Sequence, residues 1–314
     1  MDLKHNTNQS LAAEITKSAS KQTYYTIRLF VDRDLVDDAY RAYAYFRWVD
    51  DVIDAQLDTQ STKIAFINRQ KAILEACYRG DPPKGLSSEE HMLAELVRND
   101  SGKNPGLRSY LHKMMAVMEF DAQRRGRVIS QTQLSEYSQN LAIAVTDAMH
   151  YFIGHEDSAP DQETRYLAVT AAHITHMLRD TLEDKDIGYF NIPREYLQEN
   201  GISPRDVDNR AYREWVRSRV QMARLLFKEG GESLAQVKNL RCRLAGYAYS
   251  ARFEWLLRTI ERENYCLRSE YPERKSLFAG LWMSWTSLTS MFASPWMRAK
   301  LRVPAAQTIR MKES

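Results

Sequence analysis

The chain has 314 residues, 27% charged and 44% hydrophobic, with 44 basic against 41 acidic side chains. That length suits one large helical unit with a full core, and a net charge of +3 gives no ground for nucleic acid as a partner. Twelve glycines and nine prolines are too few for a turn-rich β protein; three scattered cysteines, Cys77, Cys242 and Cys266, rule out a cysteine metal motif and point to a reduced, cytoplasmic setting.

In chain order, residues 1–20 are polar, lack the apolar run of a signal peptide and read as a flexible lead-in. A helix carrying Tyr24, Tyr25 and Leu29 follows, then an acidic turn near Asp32 and Asp34. A long helix is predicted over 36–54. On it Tyr43, Arg47, Asp50 and Asp54 fall at i, i+4, i+7 and i+11, which is one stripe. Tyr45, Phe46 and Trp48 lie on other faces as packing, and Asp51 points away from the stripe. A solvated acidic face is the plain alternative, but apolar and aromatic flanks argue against it.

Polar residues 55–62 and the stretch 80–88, with Asp81-Pro82-Pro83, mark loops. Helices are predicted over 63–79, 89–98, 107–124, 131–153, 161–186, 208–229, 233–264 and 275–292, with loops at 99–106 and 154–160. Sustained period-two alternation is absent, so the fold class is all-α. Arg124, Arg125 and Arg127 cluster after Asp121, either as a phosphate-binding patch or as a solvated helix end.

The helix over 161–186 carries a second stripe: His173, His176, Asp180 and Asp184, flanked by Arg179 and Glu183. Each stripe contains Asp-x-x-x-Asp, whose carboxylates share a helix face about 6 Å apart along the axis. Facing pairs repel unless a cation lies between them. Carboxylate oxygens suit hard divalent ions, and Mg²⁺ completes its shell with waters and phosphate oxygens. The two stripes therefore predict a pocket that grips a diphosphate through Mg²⁺, or Mn²⁺ in its place, with Asp50, Asp54, Asp180 and Asp184 as ligands. Arg47 would keep the carboxylates ionised and could itself touch phosphate. The histidines raise zinc or iron as a rival, yet the Glu-x-x-His pairs of helical di-iron sites are missing.

From 276 to 296 the chain is rich in Trp, Leu, Met and Phe without a charge, and Arg298, Lys300 and Arg302 follow. The plain reading is a core-facing helix; the sharper one is peripheral membrane contact through 276–302. The organisation expected is a lead-in (1–20), a single domain (21–295) and a basic tail (296–314).

The run from Tyr43 to Asp54, together with His176 to Asp184 followed by Gly188 and Ile192-Pro193, resembles the two signatures of the squalene/phytoene synthase family. Weaker echoes occur at Met118 to Asp121, Leu134 to Tyr137, and Asn264-Tyr265 with Lys275. The resemblance implies an isoprenoid-synthase-type helical bundle around a central cavity. It implies Mg²⁺-dependent head-to-head condensation of two farnesyl or geranylgeranyl diphosphates, through a cyclopropyl diphosphate, by a monomer or weak dimer. It leaves NADPH use open, since reductive members carry no Gly-rich fingerprint. Asp50, Asp54, Asp180, Asp184, Arg47 and Arg179 take catalytic roles in it; Tyr43, Asp51, His173, His176, Glu183 and Phe253 would contact substrate.

This chain departs from the family pattern at several positions. His173 and His176 stand for Gln and Asn, Tyr189 for an Arg, Ile143 and Thr146 for two glycines, and Phe253 for a tyrosine. Ionisation is then expected to be kept, with a reshaped pocket. A terpene synthase acting on one prenyl diphosphate is the rival within chemistry. A non-catalytic scaffold is the rival outside it.

Overall fold

Polar side chains set the helix starts. In the computed structural model, which describes residues 2–155, 163–272 and 289, Ser87 and Ser130 open helices with reciprocal capping boxes to Glu90 and Gln133. Ser20, Thr59, Asn209 and Asn239 cap four more through their side-chain oxygens. The helices are α1 (Asp2–Ala19), α2 (Lys21–Phe30), α3 (Val36–Asp51), α4 (Gln60–Tyr78), α5 (Ser88–Asn99), α6 (Gly106–Arg124), α7 (Gln131–Phe152), α8 (Leu167–Ile187), α9 (Arg194–Asn200), α10 (Arg210–Leu234) and α11 (Leu240–Arg262). Short 3₁₀ turns precede α3 and α8, and a π turn, Val52–Gln56, extends α3. Among the described residues there is no strand, only an isolated bridge between Val128 and Phe190. The all-α expectation holds.

Four expectations need adjusting. Residues 1–20 read as a lead-in, but Asp2–Ala19 forms α1, which packs on α3 with Ala12 and Thr16 buried. The helix expected over 208–229 continues to Leu234 through Gly230 and Gly231. A Cβ at Gly230 would stand 2.4 Å from the Ala168 backbone nitrogen, so this glycine lets α10 press against the start of α8 rather than breaking the helix. The helix expected from 233 begins instead at Leu240. The short helix α9 was not foreseen. The predicted helix 275–292 and the apolar stretch 276–296 lie outside the described residues, apart from residue 289. Among the described residues no helix is long and apolar enough to cross a membrane.

Among the described residues two apolar cores result. One gathers α1 to α6, the later part of α7 and the start of α11 around Tyr45, Ile53, Met92, Leu93, Leu96 and Leu111. The other gathers α7 to α11 around Ile174, Leu178, Trp215, Val216, Val220 and Leu257. Tyr137 on α7 packs against both. The first aspartate stripe belongs to the first core and the second stripe to the other, so the two stripes meet where the cores meet.

Candidate active site between the aspartate helices

A cavity of about 450 Å³ opens at this junction. Arg47, Asp50 and Asp54 reach it from α3 and the π turn. Asp121 and Arg124 come from α6, and Tyr137 from α7. α8 contributes His173, His176, Arg179, Asp180, Glu183 and Asp184, and Tyr189 and Asn191 follow α8. The i→i+5 pattern of the π turn winds the chain more slowly than an α-helix, which keeps Asp54 on the face that carries Asp50.

The four stripe carboxyls are not equivalent. Burial and the neighbouring Asp54 push Asp50 up to about 6, against Arg47, whose Nη1 lies 3.4 Å away. Burial and Asp180 push Asp184 up to about 7. Burial also pushes Asp180 up, but the His176 imidazole (Nε2 to Oδ2, 2.9 Å) and the adjacent Arg179 guanidinium outweigh it and hold the group below the usual range. Asp54 accepts a 3.0 Å hydrogen bond from the Tyr189 hydroxyl.

A second layer joins the stripes. Arg124 is buried, pairs with Asp121 (Nε to Oδ1, 2.6 Å), and donates to Asn191 Oδ1 at 2.8 Å. Asn191 Nδ2 in turn donates to Asp184 at 2.8 Å. The guanidinium stands 4.8 Å from the ring centroids of both Tyr137 and Tyr189, a cation–π geometry. Tyr137 donates its hydroxyl hydrogen to Asp121 at 3.1 Å. One permanent positive charge is thus linked to Asp184 through Asn191 and to Asp54 through Tyr189.

Nine of the residues singled out in sequence line this cavity: Arg47, Asp50, Asp54, His173, His176, Arg179, Asp180, Glu183 and Asp184. Three do not. Tyr43 is half-buried against the first core. Asp51 turns aside and binds Arg47 through both carboxylate oxygens. Phe253 is buried in the second core, its ring 6.2 Å from that of His176. The substitutions at 143 and 146 also act elsewhere: Ile143 lines a separate cavity of about 600 Å³ beside Arg219 and Met222, and Thr146 a void of about 20 Å³ near Ser250. Of the three clustered arginines only Arg124 enters the site; Arg125 is exposed and donates to the Ile187 carbonyl.

Sequence reasoning left Asp121, Arg124 and Tyr137 outside its site assignment, although Asp121 and Arg124 stand at i, i+3 on one helix. Tyr189 was visible only as a departure, and Asn191 gave no signal. Among the described residues, no three His, Cys, Asp or Glu side chains converge as a ready metal site. Such convergence is the mark of a closed zinc centre. Spread carboxylates, of which Asp50 and Asp184 are lifted by burial and by their partner aspartates, suit instead an ion that brings its own waters and shares phosphate oxygens.

The family model for squalene/phytoene synthase matches residues 16–276. A presqualene diphosphate synthase of Rhodopseudomonas palustris is 25% identical over 186 residues, covering 59% of this chain and 62% of that protein; the match thus spans less than two thirds of the relative. Two solved structures share the fold. A squalene synthase of Alicyclobacillus acidocaldarius superposes with a TM-score of 0.66 at 18% identity, covering 85% of this chain and 98% of the other. A dehydrosqualene synthase in complex with ligand superposes with a TM-score of 0.71 at 17% identity, covering 91% and 97%.

Proposed function

The chain belongs to the squalene/phytoene synthase family, and from that premise we propose that it condenses two prenyl diphosphates head to head with release of diphosphate. The observation that carries the reading is the junction itself: both Asp-x-x-x-Asp stripes face one cavity with arginines beside them. Asp50, Asp54, Asp180 and Asp184 would hold Mg²⁺, which when bound offsets charge on the departing diphosphate.

The chain's own residues have separable tasks. Arg47 and Arg179 stand beside the stripes as diphosphate partners, oriented by Asp51 and Asp180. Tyr189 and Asn191 orient Asp54 and Asp184. Arg124 balances the carboxylates from below. The rings of Tyr137 and Tyr189 add aromatic walls on which a carbocation is stabilised as any cation is.

A second reading has one observation in its favour. A cavity of about 450 Å³ is modest for two long prenyl chains at once. Ionisation of a single prenyl diphosphate, as in a terpene synthase, fits that volume without opening. The deciding experiment incubates purified protein with farnesyl and then geranylgeranyl diphosphate, with and without Mg²⁺ and NADPH. Diphosphate release is followed and the products are weighed by mass spectrometry. C30 or C40 products are expected, with Mg²⁺ required. Diphosphate with only C15 or C20 products would select the terpene-synthase reading, and no release would defeat both.

A further inference from the structure

Joining two allylic diphosphates through a cyclopropyl diphosphate liberates a proton as well as diphosphate. The C–O pair leaves with the diphosphate. The double-bond pair of the second chain makes one new C–C bond. A C–H pair of the first chain makes the other, closing the ring. Some group in the cavity has to take that hydrogen as a proton.

Of the bases lining the cavity, Glu183 is exposed to solvent and most others are already engaged. Asp121 holds Arg124 and Tyr137. Asp180 holds His176 and Arg179. Asp54 and Asp184 accept from Tyr189 and Asn191, and with Asp50 they face the diphosphate end. His173 differs. It is 5% exposed, it lines the cavity, and neither ring nitrogen has a hydrogen-bond partner among the described residues. Its ring packs edge-on to Tyr137, with centroids 5.1 Å apart. A buried imidazole left without a partner is costly, and such cost is tolerated where the group has work to do.

We propose that His173 is the proton acceptor for cyclopropane closure: the ring nitrogen takes the hydrogen of the attacking carbon as its bonding pair becomes the new C–C bond, and then yields it to the departing diphosphate. Burial first, then His176, Arg124 and Arg219, pushes the imidazole down to about 3, so it waits unprotonated. With the positive charge on the carbon it is about to bond, that C–H is acidic enough to protonate so weak a base, and a weak base gives the proton up readily.

The assignment rests on the head-to-head reading, and the test separates the two. With farnesyl diphosphate and Mg²⁺, cyclopropyl C30 diphosphate is measured per diphosphate released, in the wild type, His173→Phe and His173→Ala. The ratio is expected to fall about 100-fold in both variants, with C15 and uncyclised C30 products taking up the difference, and added imidazole should restore ring closure in His173→Ala. A ratio equal to wild type, or a lowered ratio indifferent to imidazole in a variant with wild-type melting temperature, overturns the assignment and leaves the function standing. Failure of the wild type itself to couple two chains overturns the function, and this assignment with it.

Discussion

Asp50 and Asp184 are lifted to about 6 and 7 by burial and by their partner aspartates. Carboxyls held so high are poised to gain from an arriving cation. Asp50→Asn and Asp184→Asn are each expected to lower diphosphate release at least about 100-fold while the far-ultraviolet helical signal stays that of the wild type; full activity in both would defeat the metal-clamp reading. Tyr189 makes a finer test. Its hydroxyl bonds Asp54, while its ring lies against Arg124. Tyr189→Phe keeps the ring and removes one hydrogen bond worth about 1 kcal/mol. The Mg²⁺ concentration for half-maximal activity should therefore rise about fivefold, and an unchanged requirement would mean the hydroxyl is idle. The stripe residues were legible in the sequence because helical spacing alone puts them on one face. Arg124 and Asn191 were not, because what unites them is tertiary: the Gly126 amide donates to the Gly188 carbonyl at 2.8 Å and draws the end of α6 to the end of α8.

The capping box of α5 reaches further than its own helix. Glu90 accepts from the Ser87 amide at 2.9 Å, from Arg69 at 2.7 and 2.8 Å, and from Gln70 at 3.0 Å. Gln70 accepts from the hydroxyl of Tyr45, inside α3. The helix that presents the first aspartate stripe is thus tied to a helix start in another part of the fold. Burial raises the Glu90 carboxyl, but Arg69, the Ser87 amide and Gln70 prevail and bring it from 4.5 down to about 2. The sign follows: its contribution to stability is complete above pH 4.5 and disappears as pH falls toward 2. The wild-type melting temperature should accordingly drop more steeply through that window than that of Glu90→Gln; parallel curves would refute the linkage. Ser87 followed by Glu90 could be read as a helix start from sequence alone. α1 could not, since its polar surface hides a contact made by Ala12 and Thr16, and α9, with seven residues, is too short to show a period.

At the scale of the whole molecule, the all-α architecture was evident from scarce glycine and proline and from missing alternation, but the division into two cores was not. Which helices share a core depends on packing across long sequence separations, as where α1 meets α3 or α10 meets α8. The apolar stretch 276–296 with its basic followers remains a proposal for membrane contact. Deleting 276–314 is expected to lower partition onto anionic liposomes, and unchanged partition would end that proposal. The seam between the cores bears on how the protein fails. Each core is a candidate cooperative unit, a foldon, and the cavity belongs to neither alone. Gentle denaturation that loosens this seam, across which α7 and α11 run, shifts Asp50 and Asp54 relative to Asp180 and Asp184 while the helices remain wound. Along a urea series, inactivation should precede the loss of helicity, and the enzyme would lose its chemistry while still looking folded to circular dichroism.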